Sequence, residues 1–181
     1  MTIKQIALVG MLLCGVCWGQ SGSVRPTTNI PDAEFPRINR DLSATFRIQA
    51  DQAHKVQVLM EFGQSTFDMV KSEDGYWSAP TTPLLPGFHY YAISVDGFPA
   101  NDPGSKVFFA ARREVSGLEV PGADSDFFAI TDVPHGTLRR EWYVSKTTGE
   151  TRRVFVYTPP GYDQSGLRYP VLYLQHGYGE D

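Results

Sequence analysis

The chain has 181 residues, of which 41% are hydrophobic and 20% charged, and its formal net charge is −4. This composition is typical of a globular protein and excludes a collagen-like, coiled-coil or intrinsically disordered chain. The sequence has no basic cluster, so it gives no support for nucleic-acid binding. With 17 glycines, 13 prolines and 13% aromatic residues, it favours short strands joined by turns over long helices.

Residues 1–19 are predicted to be a secretory signal peptide. Lys4 supplies the positive charge that precedes an apolar stretch, Ile6 to Val16, which is shorter than the roughly 20 apolar residues needed to span a bilayer. Cleavage after Gly19 would remove Cys14 and Cys17, the two cysteines of the chain, and leave a mature protein without a disulfide or a thiolate site. We therefore expect a secreted or periplasmic protein with no membrane attachment after cleavage. A buried N-terminal helix is the alternative.

Residues 20–37 are rich in Ser, Gly, Pro, Thr and Asn and are predicted to be an exposed linker. From residue 38 the sequence alternates between apolar and polar residues, as in "KVQVLMEF", where Val56, Val58 and Met60 share one face. Turn signals such as Asp96-Gly97 separate segments spaced by roughly ten residues. Residues 38–115, ending with one strand over "KVFFAARRE", are therefore predicted to form a soluble immunoglobulin-like β-sandwich domain.

The second half of the chain begins with another predicted linker, residues 116–136, which lacks periodicity. The following stretch "TLRREWYVSKTTGETRRVFVYTPPGY" predicts a β-hairpin that turns at residues 147–150 and ends at Pro159-Pro160-Gly161. Then "YPVLYLQHG" places Val171 to Leu174 in one continuous apolar run. Such a run is typical of a strand buried on both faces of a parallel sheet. The sequence therefore predicts a parallel sheet that is incomplete within these residues.

Two stretches carry a resemblance to known families. "GYWSAPTTPLLPGFHYYAISVDGFPANDP" resembles the early-set immunoglobulin-like domain grouped with family-48 carbohydrate-binding modules. The stretches Arg153 to Tyr162, "RVFVYTPPGY", and Tyr169 to Gly177, "YPVLYLQHG", resemble the start of the esterase domain in carbohydrate esterase family one. That family includes feruloyl and acetyl xylan esterases and is related to the esterase D and enterochelin-esterase groups. Together the two resemblances cover about residues 40 to 181.

The resemblance implies that residues 137–181 begin an α/β-hydrolase domain with a Ser, Asp/Glu and His triad acting through an acyl-enzyme. Such enzymes place the serine in a Gly-x-Ser-x-Gly turn, and neither Ser125 nor Ser165 has these flanking glycines. No triad residue is therefore assigned within this chain, and all three are expected downstream of Asp181. The expected parent is a secreted carboxylic-ester hydrolase that acts on acylated, xylan-like polysaccharide, with no cofactor, and the chain alone is expected to be inactive.

The loop "HGYGED" occupies the position from which α/β-hydrolases supply one oxyanion-hole amide. Backbone N–H groups suit this role because they are positioned before the reaction begins. The resemblance therefore implies an oxyanion-hole or substrate-pocket role for Gly177 and Tyr178, next to His176. The amide of Tyr178 is the first candidate donor. A strand end followed by a turn, with His176 as a structural residue, is the alternative.

The aromatic residues of the sandwich allow two interpretations. Tyr76, Trp77 and Tyr90 are the candidate residues for sugar stacking, and the alternative is that they belong to the core, where aromatic residues are common. His54, His89, His135 and His176 do not show metal-ligand spacing, so no metal site is predicted.

Two other functions remain open at this stage. One is a carbohydrate-binding or interaction module without catalysis. The other is a glycan-active hydrolase of the amylase kind, because similar early-set domains precede branching enzymes, although the stretches "VYTPPGY" and "LYLQHG" argue against it.

Overall fold

A computed structural model describes residues 22–177, so the predicted signal peptide and Tyr178 lie outside the described residues. The chain divides into two compact units, with the boundary between Gly122 and Ala123. All the long elements are strands. Apart from one short helix and two 3-10 turns, the described part of the chain is an all-β protein.

The first unit contains ten strands. In chain order they are β1 (Arg37–Ile38), β2 (Ala44–Gln49), β3 (Val56–Met60), β4 (Ser65–Asp68), β5 (Val70–Lys71), β6 (Tyr76–Pro80), β7 (Gly87–Val95), β8 (Phe98–Ala100), β9 (Val107–Ala110) and β10 (Arg113–Val120).

These strands form two antiparallel sheets that share one core. The four-stranded sheet has the order β1-β2-β6-β5, and the six-stranded sheet has the order β4-β3-β7-β10-β9 with β8 paired to β7. Phe46 of the first sheet meets Tyr91 of the second edge to face, with ring centroids 4.9 Å apart. The sandwich-like fold expected for this region is therefore confirmed.

Alternation along the strands decides which side chains enter the core. In β3, Val56, Val58 and Met60 are at most 2% exposed, whereas the intervening residues are half-buried. Successive side chains of a strand point to opposite faces, so the predicted apolar face of this strand is confirmed. In β7, Tyr91 and Ile93 face the core in the same way.

The predicted Asp96-Gly97 turn joins β7 to β8, with Val95 paired to Phe98. Both turn residues have positive φ, 50° and 91°, as a two-residue hairpin turn requires. The Asp96 carboxylate accepts the backbone N–H groups of Lys55 (2.7 Å) and His54 (2.9 Å). These hydrogen bonds, led by that of Lys55, lower the pKa of Asp96.

The predicted single strand over residues 106–114 is wrong, because a hairpin occupies this region. Ala111 and Arg112 both have positive φ (49° and 64°) and form a turn between β9 and β10 without the Gly or Asn that usually marks one. Strand β10 then runs to Val120, and its Leu118 and Val120 are fully buried. The predicted domain end at residue 115 therefore falls inside a strand, and residues 116–122 of the predicted linker belong to the sandwich.

The predicted linker over residues 20–37 also needs correction within its described part. Residues 22–36, which we call the N-terminal strap, pack along the sandwich. Val24 forms a bridge with Ile38, and Asn29 forms one with Ser105. Thr28 and Asn29 are only 5% and 7% exposed. Composition indicated a loop correctly, but the partners of this loop are distant in the sequence: Thr28 Oγ1 accepts the backbone N–H of Glu119, 91 residues away.

The second unit is built on a single hairpin. Strands β11 (Thr137–Val144) and β12 (Thr151–Thr158) pair along their whole length, as predicted. Gly149, with φ 72°, lies in the connecting turn, and its N–H donates to the carbonyl of Ser145 at 2.8 Å. The short helix α1 (Tyr162–Ser165) follows the Pro159-Pro160-Gly161 turn.

The strand predicted over Tyr169 to Gly177 is absent from this structure. Residues 166–177 contain neither helix nor strand, and the side chains of Val171 to Leu174 are 69% to 91% exposed. A strand of a parallel sheet requires hydrogen-bonded neighbours, and no described residue pairs with this segment. The α/β-hydrolase domain therefore stays a prediction.

Candidate functional sites

The predicted oxyanion segment lies at the end of the described residues. His176 is exposed, and its Nδ1 lies 2.8 Å from the carbonyl oxygen of Gly177. Because a carbonyl can only accept, Nδ1 is the donor, and this nitrogen is engaged with the backbone of its own loop. The amide of Tyr178, the first candidate donor, lies outside the described residues, so the oxyanion-hole role stays a prediction.

An ion pair missed by the sequence analysis holds the chain leading into this segment. Arg139 of β11 donates from Nη2 to both carboxylate oxygens of Asp163, at 2.7 and 2.5 Å. The hydrogen bond with Asp163 raises the pKa of Arg139. This ion pair connects α1 to the hairpin. Its two residues are 24 positions apart in the sequence, and no local sequence pattern marks either of them.

The three candidate sugar-stacking residues do not form one platform. Trp77 is 7% exposed and belongs to the core, where its Nε1–H donates to the carbonyl of Ala50 at 2.9 Å. Tyr76 alternates with Trp77 and lies on the outer face of the four-stranded sheet. Tyr90 alternates with the buried Tyr91 and lies on the outer face of the six-stranded sheet. The three side chains therefore do not share one surface, because Trp77 lies in the core and the two tyrosines lie on the outer faces of different sheets.

A row of aromatic rings crosses the outer face of the six-stranded sheet around Tyr90. The ring centroids of Phe62 and Tyr90 are 5.3 Å apart, those of Tyr90 and Phe88 5.0 Å, and those of Phe88 and Phe108 4.8 Å. The row is continuous because residue 117 is a glycine. A Cβ atom at this position would lie only 2.4 Å from the Phe108 ring and 2.6 Å from the Phe88 ring, so any larger residue would clash with both rings. Sequence reasoning missed this row, since its members come from three separate segments.

A buried polar network lies inside the first unit, at the Asn-Asp-Pro stretch. The Tyr91 hydroxyl donates to Asp102 Oδ2 (2.8 Å), and the Gly104 N–H donates to Asp102 Oδ1 (2.7 Å). The Ser116 hydroxyl accepts the backbone N–H of Asp102 at 2.9 Å. Burial raises the pKa of Asp102 and raises that of Tyr91 well above its usual value. The network ties β7, β10 and the intervening loop together.

The described residues show neither a metal-ligand cluster nor a membrane-spanning helix. Within residues 22–177, no three His, Cys, Asp or Glu side chains are grouped so that they could hold a metal ion. Over the same range, no helix has the length and apolar character that crossing a membrane requires.

Comparison with known proteins shows a strong sequence match to a curated protein. No family model matches the chain. The chain is 39% identical over 160 residues to an endo-1,4-beta-xylanase/feruloyl esterase of Xylanibacter ruminicola, and the match covers 84% of the chain and 22% of that protein. The chain thus spans about a fifth of the length of this curated relative.

Solved structures with a similar arrangement include a ferric enterobactin esterase from Salmonella typhimurium, at 15% identity and a TM-score of 0.42. It is matched over 65% of this chain and 42% of its own. A pullulanase from Paenibacillus barengoltzii is 18% identical with a TM-score of 0.35, over 56% of this chain and 14% of its own.

The sequence match to the Xylanibacter protein includes both units of the chain. The match covers 84% of the chain. The first unit ends at Gly122 in a chain of 181 residues, so it is too short to contain the whole match. The chain is therefore similar, through its sandwich and into its hairpin unit, to a segment of a protein named as a xylanase and feruloyl esterase.

Proposed function

We propose that this chain is the N-terminal portion of a secreted carboxylic-ester hydrolase that acts on acylated, xylan-like polysaccharide. The observation that carries the proposal is the 39% identity over 160 residues to a protein named endo-1,4-beta-xylanase/feruloyl esterase. The stretches "RVFVYTPPGY" and "YPVLYLQHG", which resemble carbohydrate esterase family one, support the same conclusion. Secretion rests on the signal-like residues 1–19.

In this proposal the two units have different tasks. The sandwich of residues 22–122 is an accessory domain, and the hairpin unit begins the esterase domain. The exposed apolar side chains of the hairpin unit, among them Leu138, Trp142 and Phe155 at 52% to 66% exposure, support this assignment. Such residues are usually covered by further structure, and in an α/β-hydrolase the covering layer is the rest of the sheet and its helices.

The proposed chemistry is acyl transfer to a serine, followed by hydrolysis of the acyl-enzyme. The serine, the acid and the histidine would come from outside these 181 residues, and this chain would supply an oxyanion-hole amide at Tyr178. A backbone N–H aimed at the developing oxyanion is effective because it needs no reorganisation during the reaction. The acyl group, ferulate or acetate, would be selected by residues outside this chain.

A chimaera tests the proposal. The matching segment of the Xylanibacter ruminicola protein is replaced by this chain, and hydrolysis of methyl ferulate is measured together with far-UV circular dichroism. We expect esterase activity to be retained. Tyr178→Pro, which removes the amide N–H, should lower kcat about 100- to 1000-fold, whereas the matched control Tyr178→Phe should stay close to the unsubstituted chimaera.

Two outcomes would contradict the proposal. A chimaera that folds but hydrolyses no ester would argue against the esterase assignment and favour a binding module without catalysis. Full activity in a folded Tyr178→Pro chimaera would remove Tyr178 from the oxyanion hole while leaving the esterase assignment in place.

A further inference from the structure

The short helix α1 lies between the hairpin of the second unit and the segment that ends in the candidate oxyanion loop. The Tyr162 N–H donates to the carbonyl of Pro159 at 3.2 Å, so the helix follows β12 directly. Glycines with positive φ flank it on both sides, Gly161 at 74° and Gly166 at 60°. The chain therefore turns sharply before and after α1.

Two sets of side-chain contacts hold α1 in place. Towards the hairpin, Arg139 Nη2 donates to both carboxylate oxygens of Asp163, at 2.7 and 2.5 Å. Towards the following segment, the Tyr169 hydroxyl donates to Ser165 Oγ at 3.3 Å, and the Tyr169 ring lies 5.3 Å from the ring of Tyr162. We call Arg139, Asp163, Ser165 and Tyr169 the α1 anchor. It links β11 to the first residue of the stretch "YPVLYLQHG".

The anchor ends where the sequence predicts a strand to begin. Pro170 follows Tyr169 and precedes the apolar run from Val171 to Leu174. Proline suits the first residue of a strand because it has no N–H to donate to the ladder, and it restricts the preceding residue to extended backbone. In the proposed esterase domain the strand therefore starts at Pro170, and the anchor holds the residue before it.

The place where a strand starts decides where its last residues lie. Each residue advances a strand by about 3.3 Å, and a slip of one residue reverses the face to which every group points. Such a slip would carry the amide of Tyr178 about 3.3 Å away from its place. An oxyanion-hole donor must lie within about 3 Å of the developing oxygen, so the interaction would be lost.

The exposure of the ion pair separates positioning from stability. The side chains of Arg139 and Asp163 are 37% and 55% exposed, and an exposed ion pair contributes little to the free energy of unfolding. Its hydrogen bonds to a charged acceptor nevertheless fix the orientation of α1 on the hairpin. Loss of the pair should therefore leave the domain folded but the start of the strand less well placed. A misplacement of about 1 Å can slow a reaction about a hundredfold.

From these contacts we propose that Arg139 and Asp163 are positioning residues of the esterase, which set the register of the strand leading to the oxyanion-hole amide. Neither residue touches the substrate in this proposal, because both act through α1 and Tyr169. The inference rests on the proposed function, since the amide belongs to the proposed oxyanion hole.

The chimaera with the Xylanibacter ruminicola protein tests this inference through kcat and KM for methyl ferulate. Arg139→Ala and Asp163→Asn should each lower kcat about 10- to 100-fold. KM should stay within about twofold, because a misplaced oxyanion donor affects the transition state and not the bound substrate. The reversed pair, Arg139→Asp with Asp163→Arg, should have a higher kcat than either single variant.

Arg152→Ala is the matched control. Arg152 forms an ion pair of 2.6 Å with Glu150, with side chains 51% and 65% exposed, at the other end of the same hairpin. It has no contact with the α1 anchor among the hydrogen bonds and ion pairs of the described residues, so its loss should leave kcat unchanged.

A double-mutant cycle shows whether the pair acts through the oxyanion-hole amide. In a chimaera that already carries Tyr178→Pro, Arg139→Ala should lower kcat by less than about twofold further, whereas two independent effects would multiply. A boronic acid that forms a tetrahedral adduct with the catalytic serine gives a measurement without the proline variant. Its inhibition constant should rise about 10- to 100-fold in Arg139→Ala.

The outcomes separate this inference from the proposed function. An unsubstituted chimaera that folds but is inactive would end both. In an active chimaera, an unchanged kcat in Arg139→Ala, an equal loss in Arg152→Ala, or multiplying effects of Arg139→Ala and Tyr178→Pro would each overturn this inference alone. Failure of Arg139→Ala and Asp163→Asn to fold, measured by far-UV circular dichroism, would also overturn it, because the pair would then serve stability.

Discussion

At the scale of single residues, the same residue type has opposite electrostatic roles in this sandwich. Asp41 lies on the surface, and hydrogen bonds from the Ser43 side chain and backbone lower its pKa. Asp102 lies in the polar network, where burial raises its pKa even though Tyr91 and Gly104 donate to it. Desolvation therefore outweighs the two hydrogen bonds at Asp102.

This contrast predicts opposite pH dependences of stability. Since the pKa of Asp102 is higher in the folded state, its folded form binds more protons, so its contribution to the free energy of unfolding falls as pH rises from about 4 through the raised pKa. In Asp102→Asn this decline should disappear. Urea denaturation from pH 3.5 to 8 should therefore show wild type losing stability relative to Asp102→Asn as pH rises.

Asp41→Asn is the control with the opposite sign. Because the pKa of Asp41 is lower in the folded state, its carboxylate stabilises the fold above the unfolded-state pKa, and this contribution is lost as the pH falls. The stability of Asp41→Asn should therefore approach that of wild type at acid pH. Parallel pH profiles for wild type and Asp102→Asn would show that Asp102 does not titrate differently in the two states.

At the scale of elements, the N-terminal strap is a structural part of the sandwich. Val24 and Ile38 exchange two backbone hydrogen bonds of 2.8 Å, and the Lys106 N–H donates to the carbonyl of Thr28 at 2.8 Å. The strap therefore joins the edge strand β1 of one sheet to the loop that precedes β9 of the other. It also covers part of the edge of β1, which would otherwise present unpaired backbone groups.

Truncation tests the contribution of the strap. Residues 22–122 should be more stable than residues 38–122 by about 2 kcal/mol or more, because each lost backbone hydrogen bond contributes about 1 kcal/mol and the buried Thr28 and Asn29 are lost as well. The midpoint of urea unfolding measures the difference. Equal midpoints would show that the strap only lies on the surface.

The strap and the end of β10 also change the expected limits of the autonomous domain. Residues 38–115, predicted from sequence to fold alone, lack both the strap and the half of β10 that carries Leu118 and Val120, which are fully buried. We therefore expect residues 22–122, rather than residues 38–115, to fold on their own.

At the scale of the whole molecule, the two units differ in how much apolar surface they bury. The sandwich encloses a core of thirteen buried hydrophobic residues drawn from both sheets. In the second unit, most side chains of β11 and β12 are exposed, as are Val171 to Leu174. The first unit thus has the features of an independently stable domain, whereas the second leaves most of its apolar side chains exposed.

We expect the 181-residue chain alone to hydrolyse no ester, because it contains no serine in a Gly-x-Ser-x-Gly turn and an acyl-enzyme mechanism needs an activated nucleophile. The rate of p-nitrophenyl acetate hydrolysis should equal that of buffer alone. Turnover above this background that persists in His176→Ala would reveal a nucleophile that neither the motifs nor the fold indicates.

The sequence by itself determined the features that depend on neighbouring residues. The alternation of Val56, Val58 and Met60, the Asp96-Gly97 turn and the hairpin around residues 147–150 follow from strand periodicity and local backbone preferences. A segment carries these in its own residues, whatever the rest of the chain does.

Only the tertiary structure decided the features that depend on distant partners. It paired the strap with Ile38 and Ser105, extended β10 to Val120, and placed Trp77 in the core but Tyr76 and Tyr90 on the outer faces of two different sheets. Each of these depends on which strands become neighbours and on how far a strand continues. A strand's register and partners are set by burial across the whole sandwich, so no local pattern in the sequence could specify them.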